Sequence, residues 1–150
     1  MSYQRQLYEE MILDHNRNPR NFLQVPAGAN CHAHGFNPVC NDEFTVHLKV
    51  TNNIVEDVGF EGSGCAISTA SASMMTECIK GKTVTEARTL FQDMHNLLTD
   101  EGQAGDVGKL QVLAGVHEYP MRIKCATLPW HTLRAALEGN DQTVCTEPKK

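Results

Sequence analysis

The sequence has no long apolar run and no excess of positive charge. None of its segments approaches the roughly 20 apolar residues of a membrane-spanning helix, and its first residues lack the apolar core of a secretory signal. Its 13 basic residues are outnumbered by 18 acidic ones and are spread along the chain, so they form no patch suited to phosphates. We therefore expect a cytoplasmic protein that binds neither membrane nor nucleic acid.

The cysteines also lack the CxxC spacing of common zinc knuckles. Their even number allows three disulfides, as in small secreted domains. However, a chain of 150 residues can bury its own core, and a chain without an export signal lies in a reducing compartment, where cysteines more often bind metal or react. We therefore favour free thiols. The six cysteines are Cys31, Cys40, Cys65, Cys78, Cys125 and Cys145.

The first half of the chain is predicted to contain one helix and one hairpin. Apolar residues at four-residue spacing over residues 3–12 predict a helix that ends at Asn18-Pro19. Residues 21–37 are rich in Gly, Pro and Asn without periodicity, which predicts a loop. Apolar and polar residues then alternate over residues 44–60 on both sides of Asn52-Asn53, which predicts a β-hairpin with one buried face.

Helical periodicity dominates the second half. One helix is predicted to end at Gly81, and Thr83 with Glu86 forms a capping box for the next. A short helix over residues 110–117 and a final helix from about Ala126 to Gly139, with Pro129 in its first turn, follow. The fold class is therefore α+β, a small antiparallel sheet packed against several helices. We expect a single domain at residues 1–139 and a flexible tail at residues 140–150.

Three cysteines occupy loop or corner positions from which their side chains could converge. Cys40 precedes a strand, Cys65 follows the hairpin, and Cys125 lies just before the final helix. A helix N-terminus stabilises the thiolate, which is the form that binds metal or attacks sulfur. Asp42 would complete a tetrahedral site of a kind that suits zinc, cuprous copper or an iron-sulfur unit, and its carboxylate suggests an exchangeable ligand. Each cysteine alone could equally be a small buried hydrophobe, the reading we favour for Cys78.

Other residues offer weaker alternatives. Cys31, His32 and His34 could form a second metal site or a solvated loop, and His131 is predicted to be an exposed helix residue. A zinc hydrolase would need an open coordination position and a general base, and the sequence has no His-Glu-x-x-His motif. A purely structural zinc domain that docks partners is a further possibility.

Three segments resemble the cysteine motifs of the U-type iron-sulfur cluster assembly proteins, IscU and SufU. They occur in the family's order and span nearly the whole chain. The resemblance is closer to the SufU branch, because Lys124 stands where IscU proteins carry a ligand histidine and the Leu-Pro-Pro-Val-Lys chaperone signal is absent before Cys125. The segments are Asn37-Pro38-Val39-Cys40-Asn41-Asp42, Gly62-Ser63-Gly64-Cys65-Ala66-Ile67-Ser68 and Arg122-Ile123-Lys124-Cys125-Ala126-Thr127-Leu128.

The resemblance implies a SufE/IscU-like fold and a specific ligand set. Zinc would be held by Cys40, Asp42, Cys65 and Cys125, or the three cysteines would hold an iron-sulfur cluster instead. Arg122 would either steer the thiolates or be an ordinary surface charge. Asn41 replaces the family's glycine in Cys-Gly-Asp, and we expect the turn to survive because asparagine tolerates the left-handed region.

The resemblance also implies partners. A pyridoxal-phosphate cysteine desulfurase of the SufS type would deliver persulfide sulfur, with Cys40 as the favoured acceptor and Cys125 as a further catalytic thiol. Downstream assembly proteins or apo-proteins would receive the product. The alternative is a scaffold on which a [2Fe-2S] or [4Fe-4S] cluster is assembled and transferred. In either role the chain would work with the desulfurase and not as a free-standing enzyme.

Overall fold

The computed structural model describes residues 3–38, 40–99, 105, 107–138 and 143–145, without the side chains of residues 4 and 143–145. It confirms the α+β fold class. Within these residues no helix is long and apolar enough to cross a membrane. The elements are α1 (Tyr3–Arg17), β1 (Cys31–Asn37), β2 (Asp42–Thr51), β3 (Ile54–Ser63), α2 (Ala66–Ile79), α3 (Val84–Thr99), two 3-10 helices (Gly108–Glu118 and Pro120–Arg122), α4 (Ile123–Leu137) and β4 (Thr143–Cys145).

The sheet has the strand order β3-β2-β1-β4 and is antiparallel except for β4, which runs parallel to β1. The predicted loop at residues 21–37 is wrong over its last part, which forms β1. This strand lacks a clear apolar alternation, and it is held by its ladder with β2, in which Cys31 lies opposite Leu48. The strand β4 pairs with residues 34–36. It lies within residues 140–150, which we expected to be only a flexible tail. Residues 139–142 and 146–150 lie outside the described part.

The hairpin of β2 and β3 is confirmed. Asn52 and Asn53 form its turn with φ angles of 52° and 66°, the left-handed values that a two-residue type I′ turn requires. Because asparagine tolerates this conformation better than other non-glycine residues, the sequence itself specifies the register of the hairpin. Its inner face is fully buried and consists of Phe44, Val46, Leu48, Val58 and Phe60.

The helices enclose the other side of the core. The capping box of α3 is confirmed, since the Glu86 backbone N–H donates to Thr83 Oγ1 at 3.0 Å and the Thr83 N–H donates to Glu86 Oε1 at 2.9 Å. α2 is buried along most of its length and packs against α4 through Ser71, which donates to the Ala126 carbonyl and accepts from Trp130 Nε1. The start of α2 is thereby fixed against the start of α4.

α4 begins at Ile123, earlier than the sequence suggested, because the 3-10 turn Pro120–Arg122 leads directly into it. Cys125 therefore lies within the first turn of the helix and not just before it. Pro129 lies inside the helix, where it has no N–H to offer the carbonyl of Cys125 four residues earlier. The backbone carbonyl that lacks this helical hydrogen bond therefore belongs to a predicted metal ligand.

His131 is half-buried between α4 and α3, so the expectation of an exposed residue is wrong. Its ring meets Phe91 edge-on, with centroids 5.3 Å apart, and meets His95 in the same way at 5.5 Å. Burial, with smaller contributions from the nearby His95 and Arg134, lowers the pKa of His131 from the usual 6.5 to about 4. The folded protein therefore favours neutral His131.

This burial predicts a loss of stability in mild acid. The pKa of His131 is lower in the folded chain, so its contribution is fully present above pH 6.5 and disappears as the pH falls towards about 4. We expect a loss of roughly 2 kcal/mol in the free energy of unfolding across that interval, discounted for the exposed part of the ring. Urea unfolding at a series of pH values measures it. His131→Gln should show a flatter pH dependence, and an identical slope would contradict the assignment.

Candidate metal centre

Three of the four predicted ligands converge at one end of the sheet. Cys40 Sγ, an Asp42 carboxylate oxygen and Cys125 Sγ all lie within 4.8 Å of one another. Cys40 is in the turn between β1 and β2, Asp42 begins β2, and Cys125 is in the first turn of α4. Ligand atoms around tetrahedral zinc are about 3.5 to 3.8 Å apart, given its bond lengths to sulfur and oxygen. The donor set therefore fits zinc after small movements of the side chains.

The turn that carries Cys40 survives the replacement of the family glycine. Asn41 has a φ of 57°, in the left-handed region that glycine and asparagine adopt most readily. Asparagine adopts this conformation with little strain. The turn thus still directs Cys40 and Asp42, on either side of Asn41, towards the same point.

Cys65 lies beside this group and caps α2. Its sulfur accepts a hydrogen bond from the Ser68 backbone N–H at 3.4 Å, although it is not within 4.8 Å of all three other ligand atoms. Hydrogen bonding from the Cys125 thiol and from Ser68 lowers the pKa of Cys65, whereas the same thiol contact and burial raise the pKa of Cys125. The surroundings thus favour the thiolate at Cys65 over the thiolate at Cys125.

Asp42 is fully buried and is held by donors from three directions. Its Oδ1 accepts from the Cys65 backbone N–H at 2.9 Å and from Ser68 Oγ at 3.2 Å. Its Oδ2 accepts from Asn37 Nδ2 at 3.3 Å, and the same nitrogen lies 3.6 Å from Cys125 Sγ. The sequence analysis did not identify Asn37 and Ser68 as site residues. Asn37 is the first residue of the first cysteine motif and Ser68 is the last residue of the second, and both are polar with short side chains.

Of the other candidate residues, Arg122 lies at the site and the histidines of β1 do not. Arg122 Nη1 donates to Cys40 Sγ at 3.5 Å, so its guanidinium lies at the site and is not an isolated surface charge. On β1, His32 Nδ1 lies 2.7 Å from His47 Nδ1 and His34 Nε2 lies 2.9 Å from Glu43 Oε1, so these histidines do not form the suggested set with Cys31.

Cys78 packs against the core, as the sequence predicted. Cys78 is half-buried against the hydrophobic core, and burial raises its pKa. The cysteines whose side chains are described are all free thiols. Cys145 falls outside this group, because only its backbone is described.

The close approach at Gly64 generates a prediction. A Cβ at this position would lie 2.4 Å from Ser68 Oγ and 2.8 Å from Asp42 Oδ1. We expect Gly64→Ala to lower the free energy of unfolding by about 1 to 3 kcal/mol through overpacking and to weaken metal binding because Asp42 must move. Chemical unfolding and zinc titration measure the two effects. Ser63→Ala, at the exposed neighbouring position, is the control, and wild-type zinc affinity in Gly64→Ala would contradict the prediction.

The sequence matches the NifU-like N-terminal domain family over residues 7–126. The chain is 40% identical over 129 residues to the zinc-dependent sulfurtransferase SufU of Bacillus subtilis, which covers 85% of this chain and 86% of that protein. It is 39% identical over 135 residues to the iron-sulfur cluster assembly scaffold protein IscU of Thermotoga maritima, with 88% and 93% covered.

Solved structures agree with these relatives. The crystal structure of a putative iron-sulfur cluster assembly scaffold protein for the SUF system from Fervidobacterium islandicum superposes with a TM-score of 0.77 at 35% identity, covering 88% of this chain and 97% of that one. A NifU-like N-terminal protein from Brucella abortus shares the fold, with a TM-score of 0.78 at 24% identity, covering 89% and 93%. The resemblance inferred from the three cysteine motifs is therefore confirmed, and the chain belongs to the NifU-like N-terminal domain family of iron-sulfur cluster assembly proteins.

Proposed function

We propose that this protein is a zinc-dependent sulfur acceptor in iron-sulfur cluster biogenesis. It receives persulfide sulfur from a SufS-like, pyridoxal-phosphate cysteine desulfurase, stimulates that enzyme, and passes the sulfur to assembly proteins or apo-proteins in the cytoplasm. The observation that carries the proposal is the convergence of Cys40, Asp42 and Cys125 within 4.8 Å. Similarity to a relative named as a zinc-dependent sulfurtransferase supports it.

Four residues would hold the zinc: Cys40, Asp42, Cys65 and Cys125. When bound, zinc keeps such thiols deprotonated at neutral pH. The position of Cys65 favours the same state, since its sulfur caps the N-terminus of α2, where the unpaired N–H groups stabilise a thiolate. The site is therefore suited to storing thiolates and releasing one of them for reaction.

Cys40 is the thiol best placed to accept sulfur. It is half-buried in a turn, whereas Cys125 is fully buried in α4 and Cys65 is fixed at the start of α2. Its thiolate attacks the outer sulfur of the donor's cysteine persulfide, so that a new sulfur-sulfur bond forms on Cys40 and the donor cysteine leaves as a thiolate. Arg122 stabilises negative charge at the Cys40 sulfur during this exchange.

Single substitutions test this assignment. We expect Cys40→Ala to abolish sulfur uptake, and we expect Asp42→Ala, Cys65→Ala and Cys125→Ala to reduce both zinc content and stimulation of the desulfurase. The measurements are sulfide release by the enzyme and the persulfide mass on this protein. Cys78→Ser, whose sulfur lies outside the site, serves as the control. Wild-type sulfur uptake by Cys40→Ala would contradict the proposed acceptor.

A scaffold for a [2Fe-2S] or [4Fe-4S] cluster is the second candidate. The specific observation in its favour is the position of Cys65, whose backbone N–H donates to Asp42 Oδ1 at 2.9 Å and which thereby brings a third sulfur close to the group around Cys40. Relatives named as assembly scaffolds also support it.

Anaerobic reconstitution with iron and sulfide separates the two roles. If the protein is a sulfur acceptor, zinc stays bound and no cluster forms that can be transferred to an apo-protein, because tetrahedral zinc already occupies the thiolates. Visible absorption, metal content and activation of an apo-protein are the readouts. A stable and transferable cluster would show that the scaffold role is the correct one.

Hydrolysis finds no support in this geometry. Both oxygens of Asp42 accept hydrogen bonds within the site, and the Glu43 carboxylate is engaged by His34. Neither nearby carboxylate is thus placed as a general base for a metal-bound water. The hydrophobic core also argues against a zinc ion whose role is only to hold the fold together, because Cys125 is the one candidate ligand among the buried hydrophobic residues described.

A further inference from the structure

We propose that Ser68 and Asn37 are positioning residues that fix Asp42 and Cys125 in place for the metal, so that ligand exchange is confined to Cys40. The inference rests on the proposed zinc centre and goes beyond it, because it assigns roles to two side chains that are not ligands. Both side chains are fully buried and in hydrogen-bond contact with the candidate ligands.

Ser68 determines which oxygen of Asp42 can bind the metal. Oδ1 already accepts two hydrogen bonds, at 2.9 Å from the Cys65 N–H and at 3.2 Å from the Ser68 hydroxyl. The single hydroxyl hydrogen of Ser68 is also within reach of the Cys65 carbonyl at 3.1 Å, and when it points to Asp42 the two donors use both lone pairs of Oδ1. Oδ2 accepts only the longer bond from Asn37 among the described hydrogen bonds. Asp42 is therefore anchored through Oδ1 and offers Oδ2 as a single-atom ligand.

Asn37 joins two ligands that come from different elements. Its side chain lies at the end of β1, and its Nδ2 group is 3.3 Å from Asp42 Oδ2 and 3.6 Å from Cys125 Sγ. An amide nitrogen has two N–H donors and can donate one to each of these atoms. Once metal binding has removed the proton of Cys125, its thiolate and the carboxylate repel each other at this distance, and a shared donor reduces that repulsion. Asn37 thus couples the position of β2 to that of α4.

Cys40 receives no comparable support from a buried side chain. Its described side-chain hydrogen bond comes from the exposed guanidinium of Arg122 at 3.5 Å. Hydrogen bonds from outside the ligand set orient ligands and raise metal affinity, and their loss typically reduces affinity about 10-fold to 100-fold. Asp42 and Cys125 are supported by a buried donor, whereas the donor to Cys40 is an exposed guanidinium that water can replace. Cys40 is therefore the ligand that detaches, while Asp42 and Cys125 keep the metal in the protein.

The test uses Ser68→Ala and Asn37→Asp in the zinc-loaded protein of 150 residues. Ser68→Ala removes one anchor of Oδ1, and Asn37→Asp replaces the donor with an acceptor of nearly equal size. We expect both to bind zinc about 10-fold to 100-fold more weakly in competition with a chelator, and to release it faster. Cobalt-substituted protein should show an altered ligand-field spectrum. Ser68→Thr keeps the hydroxyl and should restore wild-type affinity.

Ser71→Ala is the matched control for a general loss of stability. Ser71 is fully buried on the same helix, but its hydroxyl bonds to the Ala126 carbonyl and to Trp130 instead of to the site. We expect this variant to lower the free energy of unfolding and leave zinc affinity unchanged. If Ser68→Ala loses no more affinity than Ser71→Ala, or both test variants bind zinc as tightly as wild type, the inference is wrong and the zinc proposal stands. If wild-type protein takes up neither zinc nor cobalt, both proposals are overturned.

Discussion

The buried carboxylate of Asp42 is the constraint on which the rest of the site depends. An ionised carboxylate is very costly to bury without partners, and here the side chain is fully buried at the start of β2. Its donors come from the end of β1, from the Cys65 backbone and from the first turn of α2. These elements must therefore keep fixed relative positions in the folded state. Cys40 and Cys65 adjoin the same elements, so the positions of these thiols beside the carboxylate are fixed by the same packing.

Asn37 extends this constraint to Cys125, because its Nδ2 lies 3.6 Å from the Cys125 sulfur. Ser71 and Trp130 join α2 to α4 in the core, away from the carboxylate. Glycine at position 64 is required beside the carboxylate, since any side chain there would overlap Ser68 and Asp42. In contrast, Cys40 lies in a turn whose side-chain contact is an exposed arginine. One end of the site is therefore held by buried donors and the other by an exposed one, and this asymmetry is the basis of the proposed release of a single thiolate.

Much of the fold follows from local patterns in the sequence. The Asn52-Asn53 turn and the Thr83-Glu86 capping box specify their own structures through backbone preference and short-range hydrogen bonds, and both were predicted correctly. β1 and β4 were not predicted, because their strand conformation depends on pairing with distant residues and not on an apolar alternation of their own. His131 was misplaced for a similar reason, since its burial requires α3 to pack against it.

The sequence by itself determined the family, the ligand types and the left-handed turn at Asn41, because these depend on residue identity in short contiguous motifs. Only the tertiary structure decided which ligands converge most closely and what supports them. Cys40, Asp42 and Cys125 meet because β2 and α4 pack together. Cys65 lies outside this 4.8 Å group, although its backbone N–H donates to Asp42. The roles of Asn37 and Ser68 likewise emerge only in three dimensions. Each must lie against an oxygen or sulfur atom far away in the chain, and no spacing in the sequence specifies such a contact.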